Sequence, residues 1–66
     1  MTRLITGPNL PDPDSVYARL IAWHDGRAEA ESHRLNAKLV LILANHIGDP
    51  EVIEQALALA DASSFD

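Results

Sequence analysis

Apolar and polar positions alternate along this chain with a helical period, interrupted at two places. Val16, Tyr17, Leu20, Ile21 and His24 recur at the spacing of one helix face, after Asp12–Pro13–Asp14 and before Asp25–Gly26. An acid ahead of a proline, with a second acid in the positive first turn, is a strong helix start. The first helix is therefore expected over about 13–25, with Trp23 on a flank of its stripe. A second periodic stretch runs from Ala28 to Ile47 and ends at Gly48, the residue type suited to a left-handed C-terminal cap. Its start is poorly marked, because Ala28 has no side-chain oxygen to accept a hydrogen bond. Asp49–Pro50–Glu51 repeats the starting signal and opens a third helix over about 50–62, with Val52, Ile53, Ala56, Leu57 and Ala60 on its apolar face. Residues 1–11 hold Gly7, Pro8 and Pro11 without a helical period and read as an extended arm. Residues 12–62 form the single helical domain, and 63–66 a tail expected to fray. The fold class is all-α.

The second helix is more apolar than its surroundings explain. At about 100° per residue, Leu35, Leu39, Ile42 and His46 share one stripe. Leu43 and Ile47 flank it, Val40, Ala44 and Ala37 widen the arc to about 200°, and Leu41 sits near 240°. A surface helix needs an apolar arc of little more than about 100°. Either this helix is the buried spine of a three-helix unit, or its surplus face meets a second chain. Trp23, Leu39, Leu41, Ile42, Leu43 and His46 are the candidate contact residues.

Asn36 and His46 fall inside that arc and are expected to be buried, where a polar side chain must find a hydrogen-bond partner. They would tie the helix to the arm or to a neighbouring helix, select the register of a helix–helix interface, or contact a small ligand.

Composition removes several classes of function. The chain has 66 residues and no cysteine, which excludes a disulfide scaffold, a thiolate zinc site and a thiol nucleophile. A domain this short buries only about 60% of the surface of its unfolded form, so association is a common means of stabilising it. The formal net charge is −5, the wrong sign for a nucleic-acid binder. All five cations, Arg3, Arg19, Arg27, Arg34 and Lys38, precede residue 39, whereas Asp49, Glu51, Glu54, Asp61 and Asp66 follow it. The turn at Gly48 has the outline of a helix-turn-helix, but its second helix would present acids to phosphates. The acidic third of the chain suits a basic partner surface instead.

Catalytic chemistry has little to draw on. Ser15, Ser32, Ser63 and Ser64 lie in no Gly-x-Ser-x-Gly turn, and Asp12 and Asp14 are explained by capping. Glu29 and His33, four apart, could share a metal or be an ordinary surface pair. No cofactor or catalytic residue is expected. There is no apolar leader after Met1–Thr2–Arg3, and the longest apolar run, Leu39 to Ala44, is far short of the roughly 20 residues of a membrane helix. A cytoplasmic protein is expected.

Pro8, Asn9, Leu10, Asp12, Pro13 and Asp14, followed by Leu43–Ala44–Asn45–His46–Ile47–Gly48–Asp49, resemble a family of short bacterial proteins of unknown function. The likeness runs from about Thr6 to Ala60 and departs at Ala28, where the family more usually has a capping serine. It implies an accessory protein found in the company of oxidoreductases and aromatic catabolism. Together these readings point to a small acidic interaction module that self-associates or docks on a larger enzyme, which the resemblance alone implies to be an oxidoreductase. The alternative is a small-ligand or metal binder using His46 and Asn36, or Glu29 and His33.

Overall fold

Two aspartate–proline pairs start helices in the computed structural model, which describes residues 3–62. Asp12 Oδ1 accepts the N–H of Ser15 at 3.2 Å and Pro13 occupies the first turn, giving α1 over Pro13–His24. Asp49 Oδ1 accepts the N–H of Glu51 at 2.9 Å and its carbonyl accepts that of Ile53, giving α3 over Pro50–Ala62. Between them α2 spans Glu29–Ile47. Ala28 sits at its N-cap with no side-chain hydrogen bond, and Gly48 ends it at φ 69° with its N–H donated to Ala44. The first two helices are slightly shorter than expected: Asp25 is the C-cap of α1, and Ala28 precedes α2. Among the described residues there is no strand, so the fold is all-α. The tail expected to fray lies outside the described residues.

The connection between α1 and α2 is braced. Gly26 takes the left-handed conformation at φ 79°. The Arg27 N–H donates to the His24 carbonyl, its Nε donates to the Trp23 carbonyl at 2.7 Å, and its guanidinium pairs with Glu31 at 3.5 Å. The described part of the arm, residues 3–11, has neither helix nor strand. It is tied to α3 where the Leu4 N–H donates to Gln55 Oε1 at 3.1 Å. Gln55 and Val52 are three apart and so share a face of α3.

These elements do not close over a common interior. Val52, at 9% exposure, is the only buried residue among those described. The Cα radius of gyration is 13.5 Å, against roughly 11 Å for a compact chain of this length. The accessible surface is 5929 Å², whereas a compact monomer of this mass exposes roughly 4,100 Å². The extended arm contributes part of that excess, and the helices contribute much of the remainder through Val16, Tyr17, Val40–Leu43, Ile47 and Leu57, all exposed.

Two expectations are corrected by this openness. Asn36 and His46 are exposed, not buried. The flanking helices are attached at opposite ends of α2 and leave its apolar arc partly open, so His46 faces solvent and Asn36, though it bonds His24 of α1, stays exposed. The stripe of α1 is likewise uncovered from Val16 to Ile21, with Tyr17 at 67% exposure. Trp23, on the flank, is half-buried together with His24, because α1 meets α2 through that end of the helix.

Candidate functional site

The candidate surface begins with four consecutive residues, Val40, Leu41, Ile42 and Leu43, which make slightly more than one full turn of α2. All four are more than half exposed, and Leu41 reaches 71%. Since their side chains radiate in every direction, no flank of α2 at this level is fully covered by its own chain.

On the side facing α3 this turn continues into a groove of about 290 Å³. Its walls are Val40, Leu43, Ala44 and Ile47 of α2 against Ile53, Ala56, Leu57 and Ala60 of α3. Every lining side chain is apolar. The Gly48–Asp49 corner sets the groove, since the left-handed glycine turns the chain within two residues and the Asp49 cap starts α3 immediately. Glu54 and Asp61 lie three residues before and four after Leu57, and so flank it on the same side of α3.

A second, smaller groove of about 230 Å³ marks the α1–α2 junction, lined by Arg19, Leu20, Trp23 and Leu39. Beside it, His24 Nδ1 lies 2.9 Å from Ser32 Oγ and Nε2 lies 2.9 Å from Asn36 Oδ1. Ser32 and Asn36 are one turn apart and grip both edges of the imidazole. Trp23 packs against the same ring, centroid to centroid at 4.9 Å. This cluster orients α1 on α2, and both ring nitrogens are engaged.

The contact residues read from the sequence separate into two places. Leu41, Ile42, Leu43 and the exposed His46 lie on the open part of α2, whereas Trp23 and Leu39 are half-buried at the junction with α1. Asn36 is not brought to His46. The two are ten residues apart, about 15 Å along the helix, and Asn36 is held by His24. Glu29 and His33 are exposed on the first turns of α2, and among the described residues no group of three or more His, Asp or Glu could hold a metal. Ser32, Gln55 and the groove wall formed by Ile53 and Leu57 were not among the sequence-derived site residues. A signal for the first was present, in Ser32 and Asn36 as a polar pair at i,i+4 on an otherwise apolar flank.

Among the described residues no helix is long and apolar enough to cross a membrane. A family model described as "Protein of unknown function (DUF2783)" matches residues 4–62. No curated protein and no solved structure matches the chain.

Proposed function

Because the chain belongs to the DUF2783 family, whose description assigns no activity, we propose a function from geometry alone: this is a small helical protein–protein interaction module. The observation that carries the reading is the uncovered apolar turn Val40–Leu43 running into the apolar α2–α3 groove. Leaving a Leu, Ile or Val side chain in water forgoes about 1.5–3 kcal/mol, and with one buried residue among those described the domain has little else to offset chain entropy. A protein surface covering this region supplies the missing interior. The groove is open and has no polar lining group to orient a small molecule, which favours a macromolecular partner over a metabolite.

The partner is a second copy or a larger protein, such as the enzyme to which an accessory subunit would attach. Purification of the tagged protein under native conditions tests the module reading, with Leu43→Glu as the control. The wild type is expected to carry a stoichiometric companion, its own copy or another chain, that the variant loses. A wild type that melts cooperatively as a lone monomer, with no companion, would contradict it.

A further inference from the structure

We infer that the α2–α3 groove is filled by α1 of a second copy of this chain, reciprocally, in a closed two-fold dimer; this rests on the interaction-module reading. The molecule carries two unpartnered apolar surfaces of matching scale. One is the groove walled by Val40, Leu43 and Leu57. Its walls, Val40 to Ile47 and Ile53 to Ala60, each span eight residues, a rise of about 10.5 Å or two helical turns. The other is the outer face of α1, where Tyr17 and Ile21 lie one turn apart beside Val16 and all three are exposed. No residue of α1 is buried.

The chemistry of the groove selects a helix. With no polar lining group, it offers nothing to the N–H and C=O groups of an extended segment, whereas a helix satisfies its own backbone. The chain cannot bring its own α1 there while its junction stays intact. His24 is clipped to Ser32 and Asn36, and Arg27 braces the connection through Trp23 and Glu31. Those contacts hold the end of α1 at the N-terminal half of α2, and the groove lies along the C-terminal half.

Charge and area select the second copy and its orientation. Packing groove on groove would set Glu54 and Asp61 of each copy against the same acids of the other. Helix α1 carries one acid, Asp14, and one cation, Arg19, so its insertion brings no net negative charge to the acidic rim. Reciprocal exchange covers both surfaces of both copies and closes after two chains, as an isologous interface must. The chain exposes roughly 1,800 Å² more than a compact monomer of its mass, part of it on the arm, against the roughly 800 Å² per partner of a stable interface.

The chain has no cysteine, so single-cysteine variants report contacts without background. Ile21→Cys and Leu57→Cys, mixed and gently oxidised, are expected to form a disulfide between the two variants that neither forms efficiently alone. By sedimentation equilibrium the wild type is expected to be a dimer at high micromolar concentration. Tyr17→Glu and Leu57→Glu should each raise the dimer Kd about tenfold or more, with far-UV circular dichroism reporting that helix is kept. Should a glutamate variant unfold, Tyr17→Gln and Leu57→Gln replace it. A monomeric wild type would overturn the dimer, while a companion chain lost on Leu43→Glu would still uphold the module reading. Cross-linking of Leu57→Cys to itself in preference to Ile21→Cys would overturn α1 as the occupant. So would a disulfide that forms only within one chain bearing both cysteines.

Discussion

His24 Nε2 lies 2.9 Å from Asn36 Oδ1, and this contact joins the last turn of α1 to the middle of α2. With the amide oxygen accepting, Nε2 carries a hydrogen, and in the neutral ring Nδ1 then accepts from the Ser32 hydroxyl. One side chain thus reads two residues a turn apart and fixes the direction in which α1 leaves the corner.

Asn36→Ala removes one of those partners. The expected cost is about 0.5–1.5 kcal/mol, the net worth of an ordinary hydrogen bond. Ring nitrogen shifts of His24 should report the Nε2–H form in the wild type and a mixture of neutral forms in the variant. Identical ring shifts and identical melts would show that the contact is absent in solution.

The corner between α2 and α3 makes a sharper case. Gly48 has φ 69°, and a Cβ built there meets only the Asn45 carbonyl oxygen, at an ordinary 3.7 Å. The cost of Gly48→Ala is therefore torsional, about 1–2 kcal/mol, and Gly48→Val should cost more because its branched side chain is worse suited to positive φ. Gly7, with open space around it and no positive φ, is the control, and Gly7→Ala should leave chemical denaturation unchanged.

Helix starts can be adjusted in both directions. Asp49→Ala removes the acceptor of the Glu51 N–H and should destabilise by about 0.5–2 kcal/mol. Ala28→Ser supplies the cap that α2 lacks and should stabilise by about 1 kcal/mol. Thermal melts of the two variants, run at the same protein concentration, should move in opposite directions.

The arm depends on Gln55. Replacing it by alanine removes the acceptor of the Leu4 N–H. That amide should then exchange with solvent at close to a free-chain rate, while the amides in the middle of α2 exchange as before. Unchanged protection at Leu4 would mean that other contacts hold the arm.

The helix boundaries were legible because their causes are local. Asp12 and Asp49 bond to N–H groups three and two residues ahead, and Gly48 donates to a carbonyl four behind. Each of these interactions lies within a few residues of chain, so the sequence carries them whatever the helices do afterwards. The width of the apolar arc on α2 was legible too, since the angular position of a side chain depends only on helical repeat.

Burial was not legible, because it belongs to neighbours. The positions of Asn36 and His46 on that arc suggested an interior, yet both are exposed, since α1 and α3 leave opposite ends of α2 without closing over it. Periodicity ranked Tyr17 above Trp23 as a core residue of α1, and the tertiary structure reverses them. The His24 clip decides which flank of α1 meets α2, through contacts eight and twelve residues away in sequence. Gln55 reaches across 51 residues to Leu4, a pairing that no local pattern contains. The sequence by itself determined where the helices begin, end and are apolar. Which of their apolar faces stay open was decided only by the tertiary structure, because covering a face requires a second surface whose direction local backbone preferences do not set.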